Sequence, residues 1–250
     1  MARYDFRSPR LFLAASLRPG AVLPLDPSQA HYLVGVLRLK EGAPVFVFNG
    51  NDGEWKACLA LTNRRQALVV QNEIRPQPKP GNLHYLFSPL KHARLDYMVQ
   101  KAVEMGASRL QPVIMQHTVA NRVNLGRMRS NAIEAAEQCG ILAIPEIMAP
   151  IGFHPAIAGL AAARHLVFCD EEAQTADPVS ALRAALGEFP PQDGLAVIIG
   201  PEGGFSEDER QQLLSRSLTT RIALGPRILR ADTAAVAALA IVQAAIGDWR

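Results

Sequence analysis

A glycine-rich segment between a buried strand and a capped helix is the feature that most constrains this chain. Residues 195–199, LAVII, are apolar throughout, which is typical of a strand covered on both faces of a parallel sheet. Ser206 and Glu209 have the spacing of a capping box, which predicts the start of a helix. The residues between, GPEGGF, bring bare backbone to the carboxyl end of the strand, where open α/β sheets bind ligands. The segment matches neither a P-loop nor the G-x-G-x-x-G pattern, so a simple tight turn is the alternative.

A second strand, glycine-proline loop and helix follow further along the chain. Residues 221–224, RIAL, have the pattern of a short strand, and the loop GPRILR leads into an alanine-rich helix predicted from Asp232 to Ile246. Two such loops at neighbouring strand ends can enclose a single pocket. The closing helix is apolar around its whole circumference, so we expect it to be buried between layers or against another chain.

Length and composition allow one large domain or two moderate ones with a substantial core, since 49% of the 250 residues are hydrophobic. No segment reaches the run of about 18 apolar residues that a membrane span requires, and the N-terminus does not resemble a signal peptide. The cysteines are odd in number and form no C-x-x-C pair, and the histidines lack metal-ligand spacing. We therefore expect a cytoplasmic protein with buried, reduced thiols and no metal.

The basic charge is concentrated in the first third of the chain. Residues 1–80 carry 11 Lys and Arg against 6 Asp and Glu, whereas residues 81–250 carry 15 against 17. A basic N-terminal module beside a near-neutral larger one favours a polyanion partner for the first and a small ligand for the second. Arg7, Arg10 and Arg38 are the candidate phosphate contacts, although an ordinary structural role is the stronger alternative for each arginine taken alone.

The order of predicted elements divides the chain into two domains. Residues 1–74 are predicted to form a small β-barrel module with one helix over residues 31–39 and a hairpin that turns at residues 49–53. The segment RPQPKPG, residues 75–81, has proline at alternate positions and is typical of a stiff linker. From residue 82 to 250 strands and helices alternate, which predicts an α/β domain with a parallel sheet and helices on both faces.

Several longer motifs carry a family resemblance: IIGPEGGFSEDE, LGPRILRADTA, KAVEMGASRLQPV, EAAEQCGILAIPEI and HYLVGVLRLKEG. Together they resemble the RsmE family, SPOUT-class enzymes that methylate uridine at N3 in 16S ribosomal RNA of the small subunit. The resemblance covers nearly the whole chain. It implies a PUA-like N-terminal RNA-binding domain, a C-terminal SPOUT domain with a deep trefoil knot, S-adenosyl-L-methionine as cofactor, and a homodimer whose sites lie near the subunit interface.

The resemblance also implies roles for the two loops, with backbone and aliphatic side chains surrounding the cofactor. The implied cofactor residues are Gly200, Pro201, Gly203, Gly204, Leu224, Gly225, Ile228 and Leu229. Arg230 is expected to orient the uracil or stabilise its developing charge, and Asp232 or Glu202 to assist proton removal. The alternatives are a helix cap for Asp232 and an ion pair with Arg227 or Arg230 for Glu202.

Some positions depart from the family pattern. Asp232 stands where Glu is expected, Ala231 replaces Thr, Ile141 replaces Arg, and Gln116-His117-Thr118 replaces Glu-Arg-Ser. Two competing functions therefore stay open. One is a SPOUT methyltransferase for another RNA or another atom, and the other is a non-catalytic RNA-binding protein with the same fold.

Overall fold

The computed structural model describes residues 8–61, 66–120, 122–174, 177–187, 191 and 193–249. Its contacts divide the chain into two units. One unit runs to Lys79 and includes Ala136–Ile144, and the other combines Pro80–Ala135 with the chain from Pro145 onwards. The sequence does not indicate that residues 136–144 group with the N-terminal unit.

The N-terminal unit is built on a five-stranded sheet in the order β1-β3-β4-β5-β2. Its strands are β1 (Arg10–Phe12), β2 (Val22–Pro24), β3 (Pro44–Phe48), β4 (Glu54–Leu61) and β5 (Gln66–Arg75). The predicted hairpin joins β3 to β4, and Gly53 closes the turn with a φ of +82°. The Asn49 side chain accepts hydrogen bonds from the amides of Asn51 and Asp52, which holds the turn in shape.

The helix expected over residues 31–39 is replaced by two shorter helical segments. Helix α1 (Pro27–Ala30) begins at an Asp26 capping box and continues directly into a π-helix, His31–Val36. Leu33 is fully buried in the core of this unit, which accounts for the apolar spacing in the sequence. After the π-helix the backbone turns at Arg38, which has a φ of +54°.

Arg10 lies in the interior of this unit rather than on the surface, where a phosphate contact is needed. It is 7% exposed, and its Nε donates to Glu54 Oε1 at 2.8 Å. Arg75 Nε donates to the other oxygen of the same carboxylate at 2.7 Å, and its Nη2 donates to the Gly140 carbonyl at 3.0 Å. The expectation that Arg10 contacts RNA is therefore corrected, because its guanidinium is committed to a buried ion pair that also holds residues 136–144.

The C-terminal unit contains a parallel sheet in the order β12-β10-β11-β6-β7-β8, with β9 also paired to β7. Its strands are β6 (Leu83–Phe87), β7 (Arg109–Ile114), β8 (Glu146–Ile147), β9 (Ile151–Gly152), β10 (His165–Cys169), β11 (Leu195–Ile199) and β12 (Thr219–Ile222). Its helices are α2 (His92–Glu104), α3 (Leu125–Cys139, whose last residues belong to the N-terminal unit), α4 (Phe153–Ala158), α5 (Pro178–Leu186), α6 (Glu207–Ser215) and α7 (Ala231–Ile246). The predicted α/β class and parallel sheet are confirmed.

Helices cover both faces of this sheet. Leu86 of β6 packs in a core cluster with Phe153 of α4 and Leu213 of α6. The neighbouring Tyr85 points the other way, and its hydroxyl lies 3.3 Å from the sulfur of Met98 on α2. Alternate residues of each strand thus enter different cores, which explains why the strands are apolar throughout.

Helix α7 packs against α2, α5 and β11 and buries most of its alanines. One stripe of α7 is only partly covered within the chain: Val236, Ala237, Ala240 and Ile241. Among the described residues, no helix combines the length and apolar character needed to cross a membrane. The trefoil knot stays a prediction, because strand order alone does not establish how the chain threads.

Candidate active site

The carboxyl ends of the parallel strands meet at one edge of the sheet, and the two glycine-bearing loops project from that edge. Strand β10 lies between β11 and β12, so the loops do not follow adjacent strands as the sequence suggested. They meet instead across the end of β10. Residues from both loops line a single cavity of about 610 Å³.

The first loop bends sharply at two glycines. A Cβ atom at Gly200 would stand 2.7 Å from the Phe205 ring, so only glycine fits there. Phe205 is buried edge-on against Phe168, with ring centroids 5.0 Å apart. Gly204 has a φ of +72°, a conformation that favours glycine. The folded-back phenylalanine thus anchors the loop and leaves its backbone on the cavity wall.

The capping box at the start of α6 also joins two loops. Ser206 and Glu209 cap each other as predicted, and Glu209 Oε2 accepts from the Ser206 amide at 2.9 Å. Its Oε1 accepts from the amide of Gln116 at 2.8 Å, in the loop that follows β7. In that same loop, His117 Nδ1 lies 3.1 Å from the Gly204 carbonyl oxygen. The segment that departs from the family pattern therefore supports the glycine-rich loop.

The end of β10 supplies a side of the cavity that sequence reasoning did not identify. Burial raises the pKa of the Cys169 thiol, and the adjacent Asp170 charge raises it further. The buried Asp170 carboxylate accepts from Arg210 Nη1 at 2.7 Å and from Arg221 Nε at 2.7 Å. The cavity is thus bordered by a neutral thiol and by a carboxylate whose charge is paired with two guanidinium groups. The sequence signal for this side of the cavity is the acidic run Asp170-Glu171-Glu172 directly after the apolar residues HLVFC, because the parallel strands of this sheet end at the same edge.

The structure brings most of the expected cofactor residues together. The following line the cavity: Gly200, Pro201, Gly204, Leu224, Gly225, Ile228 and Leu229. Gly203 is not among the lining residues; it packs against His117, and a Cβ atom at Gly203 would lie 3.0 Å from the His117 side chain. Ile228 is 96% exposed at the cavity, an unusual position for a large aliphatic side chain.

The three expected catalytic residues take different positions. Glu202 lines the cavity. Its carboxylate lies 3.4 Å from Arg94, and not beside Arg227 or Arg230, the ion-pair partners considered from the sequence. Arg230 is the exposed N-cap residue of α7, and Asp232 lies in the first turn of that helix. Neither lines the cavity, although Ala231 between them does. Asp232 accepts from the amide of Thr233 and does not occupy the N-cap position.

The remaining candidates concern RNA and metal. Arg38 is exposed, as a phosphate contact requires, whereas Arg7 lies outside the described residues. Within the described part of the chain, no group of three or more His, Cys, Asp or Glu side chains could hold a metal ion.

Two family models match this chain, one in its N-terminal part and one over most of the rest. A family model described as an RNA methyltransferase domain matches residues 77–243, and one described as an RNA methyltransferase PUA domain matches residues 25–71. The chain is 27% identical over 236 residues to ribosomal RNA small subunit methyltransferase E of Rickettsia conorii, a match that covers 94% of each chain. It is 30% identical over 240 residues to the protein of that name from Synechocystis sp., covering 94% of this chain and 77% of the relative.

A solved structure shows the same likeness in three dimensions. It is the crystal structure of ribosomal RNA small subunit methyltransferase E from Neisseria gonorrhoeae bound to S-adenosyl methionine. The TM-score is 0.84 at 27% identity, and the match covers 98% of this chain and 100% of the other.

Proposed function

This chain belongs to the ribosomal RNA small subunit methyltransferase E family, and on that premise we propose that it methylates N3 of a uridine in 16S ribosomal RNA. It is an S-adenosylmethionine-dependent ribosomal RNA methyltransferase with a PUA domain in its N-terminal half. The observation that carries the proposal is the cavity enclosed by the two glycine-bearing loops, because it supplies the surface that a methyl donor of this kind needs.

The cavity fits S-adenosylmethionine in size and chemistry. Its volume of about 610 Å³ lies in the range of small-molecule sites, roughly 300–1,000 Å³. Leu224, Ile228 and Leu229 provide aliphatic surface for the adenine, and the Gly200–Gly204 backbone provides polar atoms without bulk. When bound, S-adenosylmethionine supplies an electrophilic methyl group.

The chain's own residues have the task of placing and deprotonating the base. N3 of uridine must lose a proton, and the half-exposed Glu202 carboxylate is one of the acceptors that line the cavity. Asp232 is the alternative acceptor, and Arg230 is proposed to orient the uracil or stabilise its charge. The raised pKa of Cys169 keeps that thiol protonated, which fits direct transfer without a covalent intermediate.

The proposed division of labour follows the two domains, residues 1–74 and residues 82–250, with residues 75–81 as the linker. N3 lies on the Watson-Crick edge, so the target uridine must be unpaired when it is methylated. The PUA domain would hold the surrounding RNA through phosphate contacts such as Arg38, in the cytoplasm where ribosomal subunits occur. Binding of this kind weakens steeply as salt is added.

We propose a homodimer formed through the uncovered stripe of α7. Val236, Ala237, Ala240 and Ile241 are only partly buried within the chain, and small and aliphatic residues pack closely between helices. Light scattering after gel filtration should give twice the chain mass. Ala240→Glu should give the chain mass instead, whereas an unchanged mass for that variant would exclude this stripe as the interface.

The activity test uses small ribosomal subunits from cells that lack this gene. Incubation with the protein and S-adenosylmethionine should produce 3-methyluridine, detected by mass spectrometry of digested ribosomal RNA. Glu202→Gln should lower kcat by about 10²-fold with little change in cofactor affinity by calorimetry, and Glu207→Gln serves as the matched control. A methyl group found on a ribose or on a base other than uracil would refute the proposed target. Absence of S-adenosylmethionine binding would refute the proposed enzymatic activity.

A further inference from the structure

The glycine-rich loop after β11 separates two cavities. Strand order places β10 and β12 on one side of β11, and β6 and β7 on the other. The cofactor cavity lies over β10 and β12. A second cavity of about 420 Å³ lies over β6 and β7, and we call it the β6/β7 cavity. Glu202 lines both, so the two cavities are neighbours across one loop.

The β6/β7 cavity combines an aliphatic wall with two cations. Leu90 and Val119 both line it; Leu90 is buried, and Val119 is 66% exposed, which is unusual for an aliphatic residue. Lys91 and Arg94 are both exposed at the cavity. Among the residues that the structure describes, no hydrogen bond or ion pair involves the Lys91 ammonium group.

The ion pair between Arg94 and Glu202 at this cavity is weak. Arg94 Nη1 lies 3.4 Å from Glu202 Oε1, and the two side chains are 43% and 44% exposed. Exposed ion pairs of this geometry contribute little to stability. Arg94 is therefore available to an anion that presents two oxygens to its guanidinium, as a phosphate group does.

We propose that the β6/β7 cavity binds the ribose and phosphate of an RNA nucleotide next to the uridine that is methylated. Lys91 and Arg94 contact the phosphate, and Leu90 and Val119 pack against the ribose. This inference rests on the proposed function, since it assumes that RNA approaches the cofactor cavity. It explains why Lys91, unpaired within the described part of the chain, and a weakly paired Arg94 lie beside a loop that carries a candidate base.

Phosphate binding here also changes the state of Glu202. A phosphate that pairs with Arg94 displaces the Glu202 carboxylate, which is then free to face the cofactor cavity. The carboxylate would thus be released for proton removal only when RNA is in place. The same competition means that Glu202 weakens RNA binding while Arg94 is engaged with it.

The test measures RNA binding separately from methyl transfer. Filter binding with a small-subunit ribosomal RNA fragment should show that Arg94→Ala and Lys91→Ala each weaken affinity about tenfold. Each should also reduce the slope of log affinity against log salt by about 1. Cofactor affinity by calorimetry should stay within about twofold, and Glu202→Gln should bind RNA at least as tightly as the wild type.

Arg109→Ala is the matched control. Arg109 forms a similarly exposed ion pair with Glu146, but at the amino end of β7, away from both cavities. Its removal should leave RNA affinity and the salt slope unchanged. Equal RNA binding by wild type, Arg94→Ala and Lys91→Ala would overturn the proposal, as would a loss of binding in Glu202→Gln. If the wild type binds RNA but does not methylate it, the proposed function fails while the RNA readout still tests this cavity.

Discussion

Glu209 joins two segments that lie 93 residues apart in the chain. Its carboxylate is 4% exposed and accepts one backbone amide at each oxygen, from Ser206 and from Gln116. The first bond follows from local spacing, so the sequence predicts it. The second depends on strand β7 ending beside β11's loop, which no local pattern encodes.

Replacing Glu209 by Gln should destabilise the C-terminal unit by about 1–3 kcal/mol. Glutamine keeps the shape but has only one acceptor oxygen, so one buried amide loses its partner and the new NH₂ group has none. Denaturant titration followed by circular dichroism would measure the loss. Glu207→Gln, on the exposed face of the same helix, should cost less than about 0.5 kcal/mol. Equal stability of the two variants would contradict the bridging role.

Two substitutions at Arg38 distinguish the effect of backbone strain on stability from the effect of the side-chain charge on RNA binding. A left-handed conformation costs an ordinary residue about 1–2 kcal/mol, and glycine avoids that cost at the expense of greater freedom when unfolded. Arg38→Gly should therefore keep the wild-type stability or gain up to about 1 kcal/mol. Arg38→Ala removes the same charge without relieving the backbone.

Both Arg38 variants should bind RNA less tightly, with a salt slope reduced by about 1. Thermal unfolding and filter binding on the same preparations would separate the two effects. If neither variant changes RNA affinity, Arg38 is not a phosphate contact; if Arg38→Gly is clearly less stable than Arg38→Ala, the positive φ does not strain the native chain.

At the scale of elements, long apolar runs are predictable and short pairings are not. The strand at residues 195–199 has its predicted bounds, since five consecutive apolar residues exclude most alternatives. Strands β8 and β9 have two residues each, too few to show any period. The position of β10 between β11 and β12 could not be predicted either, because strand order depends on packing of whole layers.

Two strands of the parallel sheet carry histidines that should make stability depend on pH. Burial, with the charges of Arg164 and Arg109, lowers the pKa of His84 to about 4 although Glu146 opposes the shift. The pKa of His165 is lowered by burial and by Arg216. The unfolded chain therefore binds protons at these two histidines more readily than the folded chain does. The free energy of unfolding has its full value above about pH 6.5 and falls as the pH drops toward 4.

His84→Asn should remove part of that pH dependence. The His84 contribution between pH 6.5 and 4.5 should be about 1 kcal/mol, reduced from the full shift because the imidazole is only half-buried. Urea titrations at several pH values would measure it. His154→Asn, at an exposed imidazole of the same unit, is the control. Identical profiles for wild type and His84→Asn would show that the imidazole titrates normally.

At the scale of the whole molecule, the two units should respond differently to the cofactor. All residues that line the cofactor cavity belong to the C-terminal unit, whereas the basic excess lies in the first 80 residues. A ligand stabilises only what it binds in the folded state, by about 2.7 kcal/mol at a hundred times its Kd. S-adenosylmethionine should therefore slow hydrogen exchange in β10, β11 and the start of α7 and leave β3 to β5 unchanged.

Ile228→Asn is the variant that ties this stabilisation to the cavity. The Ile228 side chain is 96% exposed, so its replacement should leave the unliganded protein as stable as the wild type. If that side chain encloses the adenine, the variant should lose about 1–2 kcal/mol of cofactor-induced stabilisation, the value of one aliphatic contact. Val22→Asn, at an exposed valine on the edge strand β2, should retain the full effect. Equal cofactor protection in both variants would mean that the Ile228 side chain does not enclose the adenine.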